Sequence, residues 1–171
     1  MGGKLAAQFI AKKIKTGNVV LIRGVASHRT SIDREKGFLE GIKQYPSIKV
    51  IAILNGEWHP DIAIGALKKF QNRSTVNIDA IFAYNDPMVL AIAEQIKGEN
   101  PRPILVGYNG DKDVQKAILS GKIDASVVQT PELMGRRAVE ALLHCHRDSV
   151  TLTPVSIVTV TRTLATFSKI D

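Results

Sequence analysis

The stretch Ile78–Ile96, IDAIFAYNDPMVLAIAEQI, constrains the chain more than any other. Ile81, Phe82 and Ala83 form a short apolar run between polar residues, the pattern of a strand buried on both faces. Tyr84-Asn85-Asp86-Pro87 then breaks the run. Asp86 is a helix-capping residue type, and Pro87 suits the first helical position, where its missing N–H removes no hydrogen bond. Met88, Val89, Ile92, Ala93 and Ile96 recur at helical spacing. The segment reads as strand, tight turn and helix, with Asn85 exposed at the carboxyl end of the strand. Open parallel sheets bind ligands at that edge.

The same alternation runs through the chain. Leu5 to Lys15 is amphipathic, with Leu5, Ala6, Phe9, Ile10 and Ile14 on one face, and Gly17 ends it. Val19–Ile22 is a buried strand closed by Gly24. A polar loop, Ser27 to Ile32, leads to a helix capped by Ser31 or Asp33 and carrying Phe38, Leu39 and Ile42. Val50–Leu54 is the second strand. After the turn Gly56-Glu57-Trp58-His59-Pro60, Ile62–Phe70 is a helix. Beyond the central unit and a loop over Gly98–Pro103 come strand Ile104–Val106, a helix from Asp111 through Leu119, strand Ala125–Val128 and a helix from Thr130-Pro131-Glu132 to about His144. Val155–Val160 reads as a last strand, and Thr161–Asp171 is weakly patterned. Helices of roughly 10 to 15 residues between strands mean βαβ crossovers and an α/β fold, a Rossmann-like open parallel sheet flanked by helices. Right-handed crossovers bring every strand's carboxyl end to one edge.

Composition narrows the function classes. The 171 residues are 44% hydrophobic and 23% charged, which excludes a disordered chain. No apolar run reaches the roughly 20 residues of a membrane span, so no membrane insertion is expected. Met1-Gly2-Gly3-Lys4 leads straight into the first helix, with no signal peptide, so the chain as written is expected in the cytoplasm. The net charge of +7 is scattered as Lys12-Lys13, Lys68-Lys69 and Arg136-Arg137, and only 5% of residues are aromatic. That is a solvated basic surface, not a stacking platform for nucleic acid.

Enzyme signals are missing. There is no P-loop, no G-x-G-x-x-G after a strand and no G-x-S-x-G elbow, and no cofactor is expected. His144-Cys145-His146 places its imidazoles on different helix faces. What does gather at the strand ends is a set of hydrogen-bonding groups: Arg34 after the first strand, Trp58 after the second, then Asn85, Asn109 and Gln129. Amides and a guanidinium offer donors and acceptors in fixed planes. Each hydroxyl of a polyol both donates and accepts, and an indole face suits the C–H side of a sugar ring. Without a nucleophile–base pair, the set reads as binding and not catalysis.

Five blocks carry a resemblance: GGKLAAQFIAKK, SIDREKGFLEGI, AIFAYNDPMVLA, ILVGYNGDKDVQKAI and GKIDASVVQTPELMGRRAVEAL. In this order and spacing the chain resembles the type I periplasmic sugar-binding proteins of ABC transporters, of the ribose-binding kind. The effector domains of LacI-type repressors share that fold, which keeps a sugar sensor as the alternative. The resemblance implies that Arg34, Asn85 and Gln129 contact sugar and that Trp58 stacks on it. Asn109 stands where the ribose binders carry aspartate. The expected ligand is therefore a sugar or polyol other than ribose, or an acidic sugar that neutralises Arg34 with help from His28 and Arg29. The implied partners are an ABC permease or chemoreceptor, and the implied location is the periplasm. Members run to roughly twice this length, with two lobes that close on the ligand. Residues 1–129 are expected to form the second lobe. Residues 130–171 are expected to supply a crossover helix and strand belonging to a first lobe that this sequence lacks, leaving them to pack loosely or to associate with another chain.

Overall fold

The computed structural model describes residues 1–98, 101–148 and 162–165, with side chains described through residue 143. Its elements are α1 (Gly2–Ile14), β1 (Gly17–Arg23), α2 (Arg29–Ile42), β2 (Ile48–Asn55), α3 (Pro60–Gln71), β3 (Ala80–Ala83), α4 (Asp86–Gln95), β4 (Ile104–Asn109), α5 (Lys112–Leu119), β5 (Ala125–Val128), α6 (Pro131–Asp148) and β6 (Arg162–Ala165). The strand order is β2-β1-β3-β4-β5-β6. The first five strands are parallel, as the βαβ alternation requires. The sheet switches direction between β1 and β3, because β2 returns to the outside of β1. In such sheets, this is where a crevice opens at the carboxyl edge.

The central strands are buried from end to end, including Val19–Ile22, Ala80–Ala83 and Leu105–Val106. Helices flank the sheet in two groups, α1 with α2 and α3 with α4 and α5. An aromatic column links one helical layer to the sheet. Phe38 of α2 stacks on Phe82 at 5.3 Å, and Phe82 meets Tyr84 at 5.1 Å and Tyr108 at 6.4 Å. Such offset ring pairs add to the stability of area burial alone.

Three local expectations are corrected. Helix α2 begins at Arg29, with His28 as its N-cap, so Ser31 lies inside the helix and does not cap it. Ser31 is buried with no hydrogen-bond partner for its hydroxyl. At α4 the cap is Asn85, whose side chain accepts from the Met88 N–H, and Asp86 is the first helical residue. Asn85 is accordingly 9% exposed instead of open to solvent. The weakly patterned tail contributes β6, which pairs antiparallel with β5. The expected strand Val155–Val160 lies outside the described residues.

Candidate functional site

Arg34 is placed by α2, whose first turns run beside the carboxyl ends of β1 and β3. Its guanidinium donates to the Tyr84 carbonyl at the end of β3. The same group lies 3.8 Å from the Tyr108 ring centroid and 5.5 Å from that of Trp58, within cation–π range of both. Burial pushes the Arg34 pKa down, and the Tyr108 and Asp86 oxygens oppose that shift. No carboxylate pairs with Arg34 among the described residues.

Trp58 occupies the β2–α3 turn with φ 67°, and Glu57 before it has φ 51°. Left-handed backbone at bulky residues stores strain and persists only where the surroundings hold it. Several contacts do. The indole lies flat against Gly24, where any Cβ would overlap the ring. Its N–H donates to His28 Nδ1 at 3.1 Å, and the two rings stack with an interplanar angle of 25°. The Asn85 amide donates to the Trp58 carbonyl at 3.1 Å. Arg34, Trp58 and Asn85 are thus joined by direct contact.

The other half of the rim depends on Asp86, which is fully buried. One carboxylate oxygen accepts from the backbone N–H groups of Gly110 (2.6 Å) and Asp111 (2.8 Å), and the other accepts from the Ser126 hydroxyl at 2.7 Å. Burial pushes this carboxyl upward, and the three donors pull it back. The loop so anchored carries Asn109, with φ 139°, whose carbonyl accepts from the Gln129 N–H at 2.9 Å. Asn109 and Gln129 are neighbours across the β4–β5 ends, linked through Asp86 to the turn holding Asn85.

All five sequence-predicted residues therefore lie on one edge of the sheet, in two contact groups. Three participants are not assigned to the site from sequence: Tyr108, Asp86, which reads there as a helix cap, and Gly24, which reads as the end of the first strand. The strand's period of two could have flagged Tyr108, since it points away from Asn109 and toward the α1–α2 layer. Nothing in a one-dimensional pattern links Asp86 to Ser126, 40 residues away. Among the described residues, no group of three histidines, cysteines or carboxylates is placed to hold a metal ion. Two cavities among the described residues lie elsewhere, one between α4 and α5 and one at the amino-terminal edge.

The carboxyl edge of an open parallel sheet is where such folds take ligands, and here it carries amide, guanidinium and indole groups. The chain belongs to the periplasmic binding protein domain family, which it matches over residues 1–145. It is 34% identical over 154 residues to the galactofuranose-binding protein YtfQ of Escherichia coli, covering 85% of this chain and 48% of that protein. The ribose import binding protein RbsB of Haemophilus influenzae is 32% identical over 139 residues, covering 81% and 47%. An ABC transporter periplasmic solute-binding protein from Actinobacillus succinogenes, solved with bound D-allose, superposes with a TM-score of 0.77 at 25% identity, covering 89% of this chain and 54% of that one. The chain spans about half the length of these relatives.

Proposed function

We propose that the chain binds a small sugar or polyol at the carboxyl rim of its sheet, without transforming it, as part of an ABC-type solute uptake system. Arg34, Asn109 and Gln129 supply hydrogen bonds to ligand hydroxyls, and Trp58 supplies the apolar face. Asn85 contributes mainly by tethering Trp58, since its carbonyl oxygen and one amide hydrogen are already engaged. The observation that carries the reading is the Arg34 guanidinium held between the Tyr108 and Trp58 rings. A cation so held, with no carboxylate partner among the described residues, suits a sugar bearing an acidic group as well as a neutral polyol.

Residues 1–129 act as one lobe in this reading. Helix α6 leaves Val139, Leu142 and Leu143 more than half exposed, and it packs extensively against no other element among the described residues. That apolar stripe supports a role in contact with a second lobe, on this or another chain. The relatives' names identify ribose, galactofuranose and D-allose as the ligand class to test first. Family members are periplasmic, and no helix among the described residues is long and apolar enough to cross a membrane.

Thermal-shift titration with D-ribose, D-galactose, D-allose, xylitol, D-glucose and D-glucuronate tests the proposal. At least one is expected to raise the melting temperature, with loss of the shift in Trp58→Ala, because only ligand bound to the folded form stabilises. Stabilisation by none of them overturns sugar binding by this chain. Equal shifts from D-glucose and D-glucuronate remove the acidic version.

A further inference from the structure

We propose that His28 is a positioning residue for Trp58 and makes the aromatic face of the rim sensitive to pH. This rests on the reading of Trp58 as a sugar platform. The indole N–H is a donor only, and His28 Nδ1 accepts from it at 3.1 Å. Acceptance requires the neutral imidazole with its proton on Nε2. A second proton converts Nδ1 into a donor, so two N–H groups face each other and the bond is lost. Imidazole is the side chain whose ordinary charge change falls between about pH 5 and 8.

Trp58 makes that one indole hydrogen bond among the described residues. Its backbone is in the left-handed region, and Gly24 beneath the ring leaves a flat floor with no side chain to fix the indole laterally. His28 supplies the lateral hold. The charged and titratable groups nearest the pair are Arg29, Asp33 and Arg34 on α2 and Glu57 and His59 in the β2–α3 turn. Arg29 follows His28 directly, with its charge engaged by Asp33 at 2.9 Å. The Arg34 guanidinium lies 5.5 Å from the centroid of the indole ring. Glu57 and His59 flank Trp58 in the turn and make no side-chain bond to His28 among the described contacts. Both partners of the bond lie near solvent, so protons reach His28 without unfolding.

Trp58 is the only tryptophan in the sequence, so tryptophan emission reports this contact directly. Emission of the full, sugar-free chain is followed from about pH 8 to 5, with far-ultraviolet circular dichroism confirming that the fold persists. A single transition is expected. It should vanish in His28→Gln, which keeps a carbonyl acceptor that does not titrate, and in His28→Asn, and persist in His59→Gln. A transition that survives both His28 variants, depends on His59 or is missing from the wild type overturns the proposal. Apparent affinity for whichever of D-ribose, D-galactose, D-allose, xylitol, D-glucose and D-glucuronate stabilises the chain should fall about fivefold across the same range, the equivalent of one neutral hydrogen bond, and stay level in His28→Gln. A His28-dependent emission transition with no response to any of the six compounds of the thermal-shift panel keeps the His28–Trp58 pairing and sinks the sugar reading instead.

Discussion

On the β1–β3 side of the rim, Arg34 and Trp58 are held by stacked faces and long side chains. On the β4–β5 side, Gln129 is bonded to Asn109 through the backbone, and the loop that follows Asn109 is bonded to one buried carboxylate. The first half is built from contacts that partly face solvent and can be rearranged by a ligand. The second is built on bonds to the buried Asp86 carboxylate, whose loss leaves several donors unsatisfied at once.

The largest test of that difference is Asp86→Ala. It orphans the Gly110 and Asp111 N–H groups and the Ser126 hydroxyl together, and is expected to cost about 3 kcal/mol or more of unfolding free energy in denaturant titration. A cost below about 1 kcal/mol would mean that the β4–β5 half does not depend on the carboxylate. Asn85→Ala comes next, since it removes the cap of α4 and the tether to the Trp58 carbonyl. About 1–2 kcal/mol is expected. Asn85→Ser should recover most of the stability by capping, but not the native tryptophan emission, which separates the two roles.

Tyr84 joins the halves, sitting at the β3 end between Phe82 and the Arg34 guanidinium. Its phenol is fully buried near Glu35, and burial pushes its pKa well above the ordinary value. The unfolded chain therefore releases this proton first. The contribution of Tyr84 is full below about pH 10 and is lost as the pH rises further. Tyr84→Phe should flatten the alkaline limb of stability against pH, and an unchanged limb would show that the phenol is not sequestered. The smallest effect on stability is expected from Gly24→Ala, well under the Asp86 change, because the added methyl meets one edge-of-fold ring. Its signature is displacement of Trp58, read as a shift in emission and weaker sugar stabilisation. Native emission in that variant would show the aromatic half to be as rigid as the other.

The five parallel strands and their crossover helices were legible because each strand is a short apolar run and each helix an amphipathic repeat. Boundaries blurred where polar residues had two plausible jobs. In Tyr84-Asn85-Asp86-Pro87, both Asn85 and Asp86 are capping types. The cap fell to Asn85, because Asp86 is drawn into the interior by donors from the β4–α5 loop and β5. Ser31 looked like a cap, yet α2 starts two residues earlier and buries it. Strand β6 carried little signal, since a four-residue edge strand is set by the neighbour it pairs with more than by its own pattern.

Within the site, the residue types at the strand ends were readable from the chain, because right-handed crossovers oblige all those ends to meet on one edge. Local patterning and chain connectivity thus determined, without coordinates, the sheet and which side of it could receive a ligand. Which side chains face outward and which hold one another in place was decided by tertiary structure alone. Those bonds join residues tens of positions apart, such as His28 to Trp58 and Asp86 to Ser126. Their geometry exists only once the core has packed.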